Sequence, residues 1–253
     1  MGRHLVIIPT YNEKENIHRI IEAVISLEMP FHVLVIDDGS PDGTASMVKV
    51  DQAKYTERLH LLERRGKLGL GTAYIAGFKW GLEHGYDYIY EMDADFSHNP
   101  KDLVRLGKAC MEQGADLSIG SRYVPGGDVK NWPKDRIMLS YGASLYVRMI
   151  TQMPVKDPTA GFVCYTRRVL ETIDLDKIRF IGYAFQIEMK FAAKTLGFTI
   201  VEVPITFVDR VEGVSKMNTS IIKEAIWGVL QMRWLSFFHT YARVSSGALS
   251  GNV

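Results

Sequence analysis

The chain is short of the features that would assign it quickly. Two cysteines occur in 253 residues, Cys110 and Cys164, 54 positions apart and without a CxxC. That leaves neither a disulfide framework nor a zinc knuckle, and buried thiols in a reducing compartment are expected. Charge of one sign is not in excess: 30 Lys and Arg face 29 Asp and Glu, a net charge of +1. Holding a phosphate polymer by counterion release needs a basic surplus, so no nucleic-acid partner is expected. Long apolar runs are missing too. The best candidate, 225–238, is shorter than the ~20 residues of a membrane span and contains Gln231 and Arg233. The N-terminal run Leu5 to Ile8 stops at Pro9, well short of a signal-peptide core of about 7 to 15 residues. The cytoplasm is therefore the expected location. Neither G-x-G-x-x-G after the first strand nor GxxxxGK[ST] occurs, so two common nucleotide folds lack their phosphate-binding signatures. At 47% hydrophobic and 23% charged residues, what remains is a soluble globular protein: one large domain, or one with an appendage.

What is present begins with alternation. Leu5 to Pro9, His32 to Asp37, Leu59 to Glu63, Tyr88 to Met92 and Leu117 to Ser121 read as strands. Between them 13–27, 43–54, 72–84 and 100–113 read as helices, the first from Ile17, Ile20, Ile21, Val24 and Ile25 at helical spacing. Asn12 is placed to cap the first helix and Pro100 to start the last. Such alternation predicts an α/β fold with a mostly parallel sheet. After Ser121 the pattern changes to a Pro/Gly-rich loop over 124–133, a helix over 135–153, a loop over 154–161 and a helix over 183–196. An extended segment over 199–208, interrupted by Pro204, and a last helix over 220–241 follow. Ligands of an open parallel sheet bind beyond the carboxyl ends of its strands. The residues just after each strand therefore carry the functional reading.

After the fourth strand stands Asp93-Ala94-Asp95. Two carboxylates one residue apart can reach a single hard cation, Mg²⁺ or Mn²⁺, whose shell is completed by water and substrate phosphates. The alternative is a solvated turn in which Asp95 caps the next helix; His98 nearby reads as a helix-start residue. Pro9-Thr10-Tyr11-Asn12-Glu13 and Asp37-Asp38-Gly39-Ser40-Pro41-Asp42-Gly43 follow the first two strands. Their acids can hydrogen-bond a base and ribose, while a metal or Arg/Lys neutralises the phosphates, which points to a nucleotide diphosphate donor. Helix capping is the alternative for Asn12 and Asp42. The stretch Gly66-Lys67-Leu68-Gly69-Leu70-Gly71-Thr72 reads as a tight turn against that site, with Arg64, Arg65 and Lys67 mostly solvated. Arg122 follows the fifth strand, and its planar fork of donors suits phosphate oxygens. Arg210 and Lys216 flank Gly213 in a loop built like a lid over charged substrate, or like an ordinary solvated surface loop.

Taken in order, Pro9 to Glu13, Asp37 to Thr44, Leu68 to Tyr74, Met92 to Asp95, Gly120 to Tyr123, Asp157 to Phe162, Phe185 to Met189 and Phe207 to Arg210 form a specific series. That series resembles the dolichol-phosphate (polyprenyl-phosphate) mannosyltransferases, inverting family 2 glycosyltransferases, over roughly residues 4–240. The resemblance implies a GT-A type Rossmann-like fold over 1–211, its mostly parallel central sheet flanked by helices. It also implies a C-terminal helical extension over 212–253, a flexible loop, helix and tail facing lipid or a partner. The implied reaction passes mannose from GDP-mannose to a polyprenyl monophosphate, dolichyl or undecaprenyl. Carried over by position, Pro9, Tyr11, Glu13, Ile36 and Asp38 hold the guanosine, and Asp93, Ala94 and Asp95 face the diphosphate and its Mg²⁺ or Mn²⁺. Arg122, Arg210 and Lys216 lie at the donor phosphates, and Arg122, Arg136 and Ser140 meet the acceptor phosphate. Asp93, Asp95 and Arg122 are thus the expected catalytic residues. Ser97 stands where some members have glutamine, so no side-chain metal contact is expected there.

A phosphate acceptor suits a site with no evident base. A neutral alcohol needs a general base to become a nucleophile, whereas a phosphate monoester with a second pKa of about 6 is largely dianionic at neutral pH. Two alternatives stay open: transfer of glucose or another hexose to the same lipid, and a non-catalytic nucleotide-sugar-binding subunit. The Q-x-x-R-W box of hydroxyl-directed relatives is one residue short in Gln231-Met232-Arg233-Trp234, which reads as part of the last helix. The apolar positions of that helix, Ile222, Ile226, Val229, Leu230, Phe237 and Phe238, are expected to pack on the core or on a partner helix, before a membrane interface. Because the acceptor is a lipid, peripheral contact with the cytoplasmic membrane face is expected, with a membrane-anchored partner protein or a homodimer as further options.

Overall fold

The computed structural model describes residues 2–182, 184–209, 219–238 and 240–243. In chain order its first half runs β1 (His4–Thr10), α1 (Ile17–Ile25), β2 (Phe31–Asp37), α2 (Thr44–Lys54), β3 (Leu59–Glu63), α3 (Leu70–Glu83), β4 (Tyr88–Glu91), α4 (Asp102–Glu112) and β5 (Leu117–Ser121). The second half runs β6 (Asp128–Lys130), α5 (Lys134–Thr151), β7 (Val163–Thr166), α6 (Arg167–Thr172), α7 (Ala184–Thr195), β8 (Ile200–Pro204), β9 (Thr206–Val208) and α8 (Thr219–Leu235). Seven strands form one sheet in the order β3-β2-β1-β4-β7-β5-β8, and β6 pairs with β9 in a separate ribbon.

The period of two along a strand sorts the core into two layers. Leu5, Ile7, Leu34 and Ile36 point to one face, where they meet Ala73, Tyr74 and Phe78 of α3 and Phe185 and Met189 of α7. Val6, Ile8, Val33 and Val35 point to the other, against Ile17, Ile20, Ile21 and Val24 of α1 and Leu103 and Leu106 of α4. A strand covered on both faces has no room for polar alternation, which explains the continuous apolar runs of β1 and β2. Each such Leu, Ile or Val contributes roughly 1.5–3 kcal/mol by burial. Helix α3 lies so close to the sheet that a Cβ on Gly77 would sit 2.7 Å from Cδ1 of Ile7.

The α/β architecture is as expected, with three local corrections. Asn12 does not cap α1: it adopts a left-handed φ of 59°, and the helix starts only at Ile17 behind Asn16, without a side-chain cap. Pro100 lies in the turn before α4, which begins at Asp102. The third is β7, the sheet's antiparallel strand, inserted between β4 and β5 with Val163 opposite both Glu91 and Ile119. Four residues, Val-Cys-Tyr-Thr, are too few to show periodicity, so only the gap left by its neighbours reveals it.

Cys110 and Cys164 are free and buried. Among the described residues no helix is long and apolar enough to cross a membrane. Helix α8 is divided: Val229 and Met232 join the main core, while Trp227 and Trp234, with Phe237 and Phe238 just past its end, are exposed. The boundary anticipated at 211/212 lies outside the described residues.

Candidate functional site

Strand direction assembles the site. β1, β2, β4 and β5 run in parallel and end at one edge, where the antiparallel β7 begins. The segments 9–13, 37–44, 92–98, 121–123 and 157–162 therefore meet there, although the chain separates them by up to 150 residues. Register makes the meeting concrete: Thr10 lies opposite Asp37, Met92 N donates to the carbonyl of Ile7 at 3.2 Å, and Gly120 N donates to the carbonyl of Phe162 at 2.8 Å.

On the β1–β2 side the backbone is braced by acids. Asp37 is buried and accepts from the Thr10 hydroxyl (3.0 Å), Ser40 N (2.9 Å) and the Ser40 hydroxyl (2.6 Å). Ser40 in turn accepts from Asn12 N at 3.0 Å, so the 9–13 and 37–44 segments are tied together. Asp42 accepts from Thr44 N at 3.0 Å in the turn before α2; the cap position itself is Gly43, which has no side-chain cap. Asp38 receives both Nε and Nη2 of Arg64, at 2.6 and 2.8 Å, while Nη1 of the same side chain donates to Thr72 (2.9 Å). Arg64 is only 11% exposed in its side chain, so the expectation that it is mostly solvated is wrong; Arg65 and Lys67 are exposed as expected. Lys67 lies over the ring of Tyr11 at 5.2 Å. The glycine-rich turn has a backbone reason: Gly69 has φ +100°, and a Cβ there would meet the Ile181 carbonyl at 2.9 Å. Pro9, Tyr11 and Glu13 are partly exposed at this edge. Ile36 is not: its side chain is buried on the α3 face, so β2 offers only backbone at that position.

The acid pair sits at the centre. Asp93 and Asp95 are half-buried and Ala94 is buried between them. Asp95 accepts from Ser97 N at 3.0 Å, a local turn contact, and does not cap α4. Arg122 comes off β5 and is held almost entirely out of solvent by Asp157, with Nε to Oδ2 and Nη2 to Oδ1 both 2.7 Å. Its backbone N donates to the same carboxylate at 3.1 Å and Nη2 also donates to the Thr159 hydroxyl at 3.0 Å. Burial works against the charge of Asp157, but the guanidinium and these hydrogen bonds outweigh it and hold the carboxyl below its ordinary value. His98 does not start a helix; it is a buried ring stacked on Phe162 (4.8 Å) and edge-on to Phe207 (5.2 Å). Burial lowers its pKa to about 4, with Asp95, Arg122 and Asp157 all acting on it.

Beneath this edge lie Glu91, the last residue of β4, and Lys190 of α7, both fully buried. Burial pushes Glu91 up to about 8, opposed by the charge of Lys190, and pushes Lys190 down to about 8, opposed by Glu91 and Asp157.

A second basic group flanks the clamp. Arg136 and Ser140 lie one turn apart on α5. Arg136 pairs with Asp209 at 2.8 Å and stacks over Trp132 at 4.0 Å, and Ser140 accepts from the Tyr123 hydroxyl at 2.7 Å. Arg122 also lies within 5.7 Å of the Trp132 ring, so one indole backs both arginines. Arg210 and Lys216 lie outside the described residues. Asp157, Thr159, Trp132 and Arg64 were given no role from the sequence alone. Asp157 sits inside a motif singled out above, but nothing local shows that its carboxylate takes Arg122, 35 residues earlier.

Two partly exposed carboxylates and neighbouring guanidinium groups suit a hard divalent ion and a diphosphate. The family model described as Glycosyl transferase family 2 matches residues 5–178. A polyprenol monophosphomannose synthase of Mycolicibacterium smegmatis is 50% identical over 229 residues, 90% of this chain and 86% of that protein. An undecaprenyl-phosphate mannosyltransferase of Micrococcus luteus is 48% identical over 237 residues, 92% of this chain and 96% of that protein. Among solved structures, a glucosyl-3-phosphoglycerate synthase from Mycobacterium tuberculosis, in complex with Mn²⁺, UDP and glucosyl-3-phosphoglycerate, superposes with a TM-score of 0.64. At 17% identity, over 93% of this chain and 79% of that one, it supports the fold.

Proposed function

The chain belongs to glycosyltransferase family 2, and from that premise we propose that it transfers mannose from GDP-mannose to a polyprenyl monophosphate with inversion, giving polyprenyl phosphate mannose. The observation that carries the reading is the Asp157-clamped Arg122 after β5 at the same sheet edge as the Asp93/Asp95 pair after β4. Such a site gathers opposite charge around two phosphates and needs no side chain to deprotonate the nucleophile.

In the reaction an oxygen of the acceptor phosphate forms a bond to the anomeric carbon. The bond from that carbon to the donor's β-phosphate oxygen breaks, and its electron pair leaves with GDP. Attack from the face opposite the leaving group turns an α-linked donor into a β-linked product. Tyr11, Glu13 and Asp38 hold the nucleoside, Asp38 in the orientation that Arg64 imposes. Asp93 and Asp95 hold Mg²⁺ or Mn²⁺, which supplies neutralisation of the departing diphosphate. Arg122, with Arg136 and Ser140 beside it, receives the acceptor phosphate and lowers the repulsion between two anionic substrates. Arg210 and Lys216 are assigned to the donor phosphates.

The acceptor's tail calls for a lipid surface, and α5 with α8 offers one. These helices pack together and leave Met138 75% and Trp234 66% exposed, along with Leu139, Tyr141, Met149, Trp227, Phe237 and Phe238. Apolar and aromatic side chains grouped this way fit peripheral docking at a membrane interface. Because Arg136 and Ser140 are on α5, the docked lipid headgroup lies near the phosphate-binding groups.

Incubation with GDP-[¹⁴C]mannose, Mg²⁺ or Mn²⁺ and polyprenyl phosphate is expected to give labelled lipid, with UDP-[¹⁴C]glucose run in parallel. Label from UDP-glucose alone would replace the donor assignment. Absence of label from any nucleotide sugar would overturn the enzymatic reading.

A further inference from the structure

Lys190 is fully buried in α7 and touches neither substrate in the reaction above. Its Nζ donates to the Ala160 carbonyl at 2.6 Å, the Gln186 carbonyl at 2.9 Å and Gln186 Oε1 at 3.2 Å, the full complement of an ammonium group. The buried carboxyl nearest in influence is Glu91, two residues before Asp93, which makes no hydrogen bond to it. Placing a carboxyl and an ammonium in a core is costly, and an apolar pair of similar volume is commonly as stable or more so. Stability alone is therefore a poor account of this pair.

What Lys190 grips suggests a different account. The turn 157–160 presents Asp157 and Thr159 to Arg122, and Ala160 N donates back to the Asp157 carbonyl at 3.3 Å. Glu202 of β8 fixes the start of the turn by accepting from Lys156 N and Asp157 N at 2.8 and 2.9 Å. Lys190 fixes its end. Because the two side chains on the turn hold Arg122 rigidly, any drift of the turn carries the guanidinium with it.

We propose that Lys190 is a positioning residue for the transfer reaction, fixing through the Ala160 carbonyl the turn that carries the Asp157–Arg122 clamp. The inference rests on the roles assigned to Arg122 and the acid pair under the proposed function.

The test uses the full chain and compares wild type, Lys190→Met, Glu91→Gln/Lys190→Met, Arg122→Lys, and Arg122→Lys combined with Lys190→Met. Melting temperature, kcat, and KM for each substrate are measured for all five. Lys190→Met is expected to lower kcat about 10²-fold, the scale of an ångström-level misplacement, with KM for GDP-mannose nearly unchanged. The Glu91→Gln/Lys190→Met protein leaves no buried charge unpaired, so it regains melting temperature while kcat stays low; it also carries the comparison if Lys190→Met alone does not fold. In the Arg122→Lys background, Lys190→Met is expected to add little, since both act through one group. Recovery of kcat together with melting temperature in the double variant, or multiplicative losses with Arg122→Lys, would overturn the role given to Lys190. Wild-type transfer in the same series separates the two conclusions: its absence overturns the reaction, while its presence with an unimpaired Lys190→Met overturns the positioning role.

Discussion

Arg64 presents two nitrogens to the two carboxylate oxygens of Asp38, at 2.6 and 2.8 Å, and a third to Thr72 in the first turn of α3. One side chain thereby joins the end of β2 to the glycine-rich turn on the β1–β2 side of the site. Arg64→Met removes the brace and leaves Asp38 unpaired. Hydrogen bonds to charged groups are worth about 1.5–3 kcal/mol, so affinity for GDP, followed by calorimetric titration, is expected to fall about tenfold or more. KM for polyprenyl phosphate should hold; a GDP affinity equal to wild type would remove Arg64 from the donor site.

Asp157→Asn keeps the shape of the clamp and takes away its charge. Transfer is expected to slow by about 10²-fold or more, and stability at neutral pH to drop by about 3–5 kcal/mol as the buried Arg122 loses the carboxylate that clamps it. Asp157 titrates below the ordinary carboxylate value when folded. Its contribution is therefore complete above that ordinary value and is lost as pH falls through the folded one. Urea midpoints of wild type and variant should begin to converge only below about pH 4.

Loss of one carboxylate tests the cation. Asp95→Ala is expected to reduce transfer by about 10²-fold or more and to weaken Mn²⁺ binding in a titration with GDP present, while circular dichroism stays unchanged. Wild-type rates in the variant would exclude Asp95 from the metal site.

His98 makes stability fall in weak acid. Its folded pKa of about 4 lies below the ordinary histidine value of 6.5, so between those values the unfolded chain binds a proton that the native protein refuses. Stability is whole above the unfolded value and declines by about 1.4 kcal/mol per pH unit toward the folded one. Urea unfolding from pH 7 to 4.5 should show this slope, and His98→Phe, which retains a ring against Phe162 and Phe207, should flatten it. Equal slopes in the two proteins would show that other groups cause the loss.

The exposed face of α8 should decide lipid attachment and not chemistry. Replacing Trp234 and Phe238 with Ser removes two large apolar groups worth about 1.5–3 kcal/mol each when buried. Co-sedimentation with phospholipid vesicles is expected to weaken about tenfold or more, while transfer to a short, water-soluble polyprenyl phosphate continues at the wild-type rate. Vesicle binding that survives the double substitution would move the membrane contact elsewhere.

Much of the fold was legible locally. Strand β3 and strand β5 have the bounds their residues suggest, Leu59–Glu63 and Leu117–Ser121, because β-branched and leucine-rich runs end at clear turn signals. Helix α1 was visible in the spacing of five isoleucine and valine positions, although its cap was not, since Asn12 turned left-handed to reach Ser40. The four residues of β7 carried too little pattern to be read.

By itself, the sequence determined the alternation of strand and helix, the Asp-x-Asp after β4 and the arginine after β5, because each depends on residues close together in the chain. Only the tertiary structure decided what those groups do to one another. Asp157 takes Arg122 across an antiparallel strand, Arg64 takes Asp38 across 26 positions, and Lys190 reaches Ala160 from another helix. Ion pairing and burial depend on distance in space, and sheet order, which no local pattern encodes, sets that distance.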